Sequence, residues 1–275
     1  MTQLGRRAVL MAGVSARLWG GLAFAQDRST LRGAGKADFE RLLSLQEGTL
    51  QSRRQANLSG KIFGRSPQNL IDRVLMWHEV ALDANALDYV KPTQPGMLYH
   101  QQPGPHRSSR AMAFGQIVVF EVVNARHKDF VSFTGFSASG DDWSPDAAVA
   151  QAAHDALVFL YPPQTANFDA ILATDLLAIP ATQVEIAAGR TVGKAAVASL
   201  HAKLGNDNTT LPEPSIPADY QPSHAVGIWD VDPVSQIMVA LGGNWPKVIP
   251  FTFADQTCFR PPPPPAVGSA AYYTA

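Results

Sequence analysis

This 275-residue chain has one cysteine, few charges and no long apolar run. A single thiol, Cys258, excludes an intrachain disulfide framework and a thiolate metal cluster. Its neighbours are apolar or proline rather than activating bases, so it reads as a packed thiol. Charged residues make up 16% of the chain and the formal net charge is -1. That balance lacks the basic face nucleic acid requires, so no nucleic-acid partner is expected. No stretch of about 20 apolar residues exists, so no membrane span is expected either. Two familiar site motifs are missing from the sequence: His-Glu-x-x-His for zinc and Gly-x-Ser-x-Gly for a nucleophile. Glycine-rich phosphate loops are missing as well.

The seven histidines do not form a metal pattern in sequence. His78 lies on an apolar stripe and reads as a satisfied core histidine. The adjacent groups His154-Asp155 and His127-Lys128-Asp129 point to different faces of their elements, which suits solvated or capping roles. Ser139-Gly140-Asp141-Asp142 reads as a turn, with a hard-cation site as the alternative reading of its aspartates.

The N-terminus has the form of a targeting signal. Arg6 and Arg7 precede the apolar run Ala8 to Val14, and Ala23-Phe24-Ala25 offers a small-x-small cleavage site before Gln26. The paired arginines suit twin-arginine export, giving a periplasmic or secreted protein. Arg17 interrupts the apolar region, and a peripheral N-terminal segment is the alternative. Residues 26–65 are weakly periodic, with one possible short helix around Phe39, Leu42, Leu43 and Leu45.

Helical signals dominate residues 66–205. Ser66 and Pro67 predict a start, followed by a stripe of Ile71, Val74, Leu75, His78 and Leu82 and an end near Val90. Residues 91–107 hold four prolines and read as a loop. Arg110 to Asn124 is apolar nearly all round. Its Val- and Ile-rich run also has strand propensity, and periodicity does not arbitrate. No partner strand with clear alternation exists, so it is read as a central helix. Ser144-Pro145-Asp146 opens a third helix with a stripe of Val149, Ala153, Ala156, Leu157 and Leu160. Thr165 caps a fourth, carrying Phe168, Ile171, Leu172 and Leu176. Thr182 and Glu185 form a capping box for a fifth, which reaches Leu204 with Gly205 as its terminal residue. Gly189 and Gly193 lie four apart, so a neighbouring helix can come close on that face. The expected class is all-α: a helical bundle over 66–205 followed by a strap over 206–275.

Twelve of the 21 prolines fall in residues 206–275. They fix φ and remove donors, which predicts an extended connector rather than a helix or central strand. Trp245, Phe251, Phe253, Phe259, Tyr272 and Tyr273 give this connector large apolar groups to bury, so it is expected to lie along the helical body.

The run Trp245-x-x-Val248-x-Pro250-Phe251, then Phe259-Arg260-Pro261-x-Pro263-Pro264 and Ser269-Ala270-x-Tyr272, resembles the connector of bacterial vanadium-dependent haloperoxidase-like proteins. These share a superfamily with type-2 phosphatidic acid phosphatases, and the resemblance spans roughly residues 68–275. It implies that the apolar segment at 110–124 is a buried helix. It also implies an enzyme family that oxidises halide with hydrogen peroxide or hydrolyses phosphate esters.

Family members hold vanadate or a phosphoryl group with a Lys followed by Arg-Pro, a Pro-Ser-Gly-His, and a later Arg-His. All of these lie in a second helical half beyond the connector. The nearest matches here are Lys247 with Arg260-Pro261, too far apart, and Pro222-Ser223-His224, which lacks the glycine. No catalytic, cofactor-binding or metal residue is carried over, and vanadate is expected only in a full-length relative. The chain stops at Ala275, where such a connector would enter its next element. The expectation is an N-terminal half that is inactive alone and packs against a missing C-terminal half, or self-associates in its absence. The alternative is a catalytically silent helical binding or structural module.

Overall fold

The computed structural model describes residues 66–88, 101–232 and 238–274, all within the compact unit Glu47–Ala275. The expected leader (1–25), the segment 26–65 and most of the loop at 91–107 lie outside the described residues. Five long helices carry the fold: α1 (Leu70–Leu87), α2 (Gly104–His127), α3 (Pro145–Leu160), α4 (Thr165–Leu177) and α5 (Gln183–Leu204). Among the described residues there is no strand beyond one isolated antiparallel bridge, Ser215 with Val239. The class is all-α. No helix among them is long and apolar enough to cross a membrane.

The α1 signals were displaced along the chain. The cap is Asn69, in extended conformation, whose side chain accepts from the Asp72 N–H at 3.0 Å; Ser66 instead takes a hydrogen bond on its carbonyl from the Gln68 side chain. The buried face is also not the expected one. It consists of Arg73, Met76, Trp77, Val80, Ala81, Asp83 and Ala84, whereas Ile71 is 72% exposed. At the far end, the Asp88 carboxylate accepts from the Gln101 and Gln102 N–H groups at 2.9 and 2.8 Å, tying the close of α1 to the approach of α2.

The 110–124 segment is a helix, and it starts earlier than the prolines suggested. Gly104 takes φ +80°, and Pro105 occupies the first turn, where its missing N–H costs nothing. Ala111, Phe114, Val118, Val122 and Ala125 recur at helical spacing on its buried face. Its first turn has no acidic residue and no side-chain cap.

The helix surrounded by the others is α3, not α2. It packs against α1, α2, α4 and α5, and the sequence stripe understates its burial: Ala147, Ala148, Val149, Ala150, Ala152, Ala153 and Ala156 are all buried. Alanines on every side let four neighbours approach one axis. Its N-terminus is buried too, and Ser144 satisfies it by accepting from the Ala147 N–H at 3.2 Å. Ser144→Ala leaves that donor orphaned away from water, so an expected loss of about 1 kcal/mol is measurable by urea unfolding.

The seam between α3 and α5 runs through the two glycines. A Cβ on Gly193 would lie 2.5 Å from the Ala148 carbonyl oxygen, and one on Gly189 would overlap the Ser144 carbonyl oxygen. The α5 capping box is complete: Thr182 Oγ1 accepts from the Glu185 N–H at 3.2 Å, and the Glu185 carboxylate accepts from the Thr182 N–H at 2.8 Å. Thr165 begins α4 rather than capping it, because a 3-10 turn, Pro162–Gln164, leads directly in and the Thr165 hydroxyl donates back to the Pro162 carbonyl.

Beyond Gly205 the described residues are irregular apart from a 3-10 turn at Trp245–Lys247 and a short helix, α6 (Ala270–Thr274). Phe251 packs on the core beside Phe133, and Trp245 meets the His106 ring edge-on. Phe253, Phe259, Tyr272 and Tyr273 are exposed, contrary to the burial expected of them, and Cys258 is exposed rather than packed. Phe253 and Phe259 meet edge-on, which covers part of each ring.

Candidate functional site

The interior of the bundle contains charge. Arg73 on α1 is 1% exposed, and its Nε donates to both oxygens of Asp175 on α4, at 2.9 and 3.1 Å. Its Nη1 donates to Asp146 in the first turn of α3, and the Trp77 indole N–H donates to Asp175 at 2.9 Å. Three helices therefore meet at one guanidinium. Nη2 of Arg73 is buried without a hydrogen-bond partner. Burial pushes the Asp175 carboxyl above the ordinary range, and the Arg73 charge opposes it. Every contact to Asp175 named above comes from a donor, so the carboxyl acts as an acceptor.

Trp77 also meets the ring of His154 edge-on. Adjacency in sequence suggested separate faces for His154 and Asp155, but the structure brings them together. His154 is buried, with Nδ1 2.7 Å from Asp155 Oδ1 and Nε2 2.8 Å from Asp169 Oδ1 on α4. Gln151 donates to Asp155 at 2.7 Å and accepts from Arg190 Nε of α5 at 2.7 Å, extending the array to a fourth helix.

A second set holds the post-helical segment to α2. Glu213 Oε1 lies 3.0 Å from His106 Nε2 and accepts from Arg107 Nε at 2.9 Å, while Oε2 accepts from the Gly242 N–H at 2.7 Å. Burial raises the Glu213 carboxyl, yet the hydrogen bonds from His106, Arg107 and Gly242 outweigh it and leave the group below its ordinary value. One turn along, Arg110 donates twice to Asp207 Oδ2, at 2.8 and 2.5 Å, and lies over the rings of Phe114 and Phe251. A shallow depression of about 290 Å³ beside this set is lined by Pro212, Glu213, Pro214, Asp219, Asn244 and Lys247.

Further polar groups are buried, among them the Glu121 carboxylate and the His201 Nε2. Glu121 on α2 is fully buried and accepts from the Thr134 N–H and hydroxyl and from the Ser132 hydroxyl, at 2.7, 3.0 and 2.7 Å. It thereby fixes the loop that follows α2. The His201 ring packs against both Phe114 and Phe159, which stack on each other, and its Nε2 is buried without a partner. Burial and the nearby Arg110 charge hold its pKa below the ordinary value.

The residues singled out from sequence are dispersed. Lys247 donates to Asn244, and Arg260 is exposed farther along the chain. His224 is exposed and pairs with Asp230. His78 is half-buried, its Nδ1 3.0 Å from the Gln116 side-chain nitrogen. His127, Lys128 and Asp129 are exposed, with Lys128 as the left-handed cap of α2. Asp141 pairs with Arg126 in the turn before α3. Among the described residues no group of three or more His, Cys, Asp or Glu side chains is placed to hold a metal ion.

Sequence reasoning missed Arg73, His106, Arg107, Asp175, Asp207 and Glu213. The available signal was Arg73 itself, which shares a helical face with Met76, Trp77, Val80 and Ala84. Neither family models, nor curated proteins, nor solved structures yield a match to this chain.

Proposed function

We propose that this chain is the N-terminal helical half of an exported vanadium-haloperoxidase-like, acid-phosphatase-related protein. On this reading it is a packing partner for a second helical body and does not itself hold the oxyanion. The connector motif from Trp245 to Tyr272 supports the family. The observation that carries the assignment of role is the pairing of the bundle's buried and half-buried arginines. Arg73 serves Asp175 and Asp146, Arg107 serves Glu213, and Arg110 serves Asp207. An oxyanion such as vanadate needs several convergent, partly desolvated donors at one point. Guanidinium groups already neutralised by carboxylates supply little net attraction, and a second anion beside Asp175 or Glu213 meets repulsion.

The purified chain is therefore expected to bind vanadate no more tightly than about millimolar, the regime of isolated screened charges. It is also expected to show no bromide oxidation with peroxide and no phosphate-ester turnover. Titration calorimetry with vanadate checks the first point. Micromolar binding abolished by replacing one histidine would overturn the assignment, because a complete site would then reside in this half.

A further inference from the structure

We propose that His154 is a proton-dependent clamp between α3 and α4, holding Asp155 with one ring nitrogen and Asp169 with the other. The argument is one of donor counting. Nδ1 is 2.7 Å from a carboxylate oxygen and Nε2 is 2.8 Å from another. A neutral imidazole has one donor and one acceptor, so either tautomer would set a lone pair against a carboxylate lone pair. Only the imidazolium donates to both. Burial opposes charging the ring, but the hydrogen bonds and negative charges of Asp155 and Asp169 outweigh it, and the ring's pKa is raised above 6.5.

The surroundings explain why the ring responds to these two groups. Asp155 stands on its own helix and Asp169 on α4. From α5, Arg190 is held off by Gln151, whose oxygen it occupies. From α1 the ring meets the uncharged Trp77, beyond which Arg73 and Asp175 neutralise each other. Asp169 has a largely exposed side chain, while that of Asp175 is fully buried. The helix α4 thus has a solvent-facing anchor in its first half and a sealed one near its end, and only the first is released by loss of the His154 proton.

The sign follows from the raised value. Stabilisation by the clamp is fully present below the unfolded-state value of 6.5 and is lost as pH rises through the folded-state value. The test is nitrogen-detected NMR of the imidazole in the full chain, with melting curves of wild type, Asp169→Asn and His154→Gln. Both ring nitrogens are expected to be protonated at pH 6.5, with a titration midpoint above 6.5. Asp169→Asn is expected to lower that midpoint and to remove a melting-temperature loss of about 1–3 °C that wild type shows across the transition. Asp169 is largely exposed and the change is conservative, so this variant folds even if His154→Gln does not. A singly protonated ring at pH 6.5, or a midpoint that Asp169→Asn leaves unmoved, overturns the clamp.

Discussion

Asp175→Ala is expected to cost about 2–4 kcal/mol, because it leaves the buried Arg73 charge with Asp146 as its one remaining carboxylate partner. Arg73 is 1% exposed and cannot turn to water without opening the contact among α1, α3 and α4. The Trp77 N–H loses its acceptor in the same step. The double replacement Arg73→Met with Asp175→Leu removes both charges and refills the volume, so its cost should fall well below the sum of the two single changes. Urea unfolding measures all three. A loss under about 1 kcal/mol for Asp175→Ala would mean that Arg73 is solvated in solution and that the buried pair is not what joins the helices.

The second large effect has the opposite sign from its usual one. Glycine to alanine inside a helix ordinarily stabilises by about 1 kcal/mol, since alanine loses less backbone freedom. Gly115 on α2 has nothing within 4 Å of its would-be Cβ, so Gly115→Ala should follow that rule. Gly189→Ala and Gly193→Ala should not, because each new methyl meets a backbone carbonyl of α3 rather than a side chain that can swing away. Forcing the helices apart also loosens the alanine contacts along the seam. Overpacking of this kind costs about 1–3 kcal/mol per site, and the double variant is expected to lose about 2–5 kcal/mol in melting or denaturant experiments. A double variant as stable as wild type would show that the two helices sit farther apart in solution.

The elements that the sequence disclosed well were those with local causes. Ser144 with Pro145, and Thr182 with Glu185, start α3 and α5 because a cap needs only residues three apart. The glycine pair announced a close approach for an equally local reason. What stayed hidden depends on distant partners. On α1, the convention that charges face water selects the stripe through Ile71, yet the buried face contains Arg73, whose partners lie 73 and 102 residues away. The all-round burial of α3 was obscured because alanine carries little hydropathy, and its inertness is what permits four neighbours. Glu213 stands between Pro212 and Pro214 in a proline-rich stretch. Its three donors come from two separate parts of the chain, and nothing near it in sequence identifies them.

The way α2 begins has a consequence for the order in which the chain can be completed. That helix carries the positive Arg107 and Arg110 in its first two turns, at the end where the helix dipole is already positive, and it has no acid of its own in the first turn. The compensating carboxylates, Asp207 and Glu213, lie about a hundred residues downstream, and Glu213 is itself fixed by the N–H of Gly242. During synthesis the first two turns of α2 therefore emerge without their counter-charge. They remain the frayed end of a helix whose apolar remainder can already pack, and they become secure only after residue 242 has left the ribosome. Truncation within residues 206–242 would thus be felt at the start of the second helix.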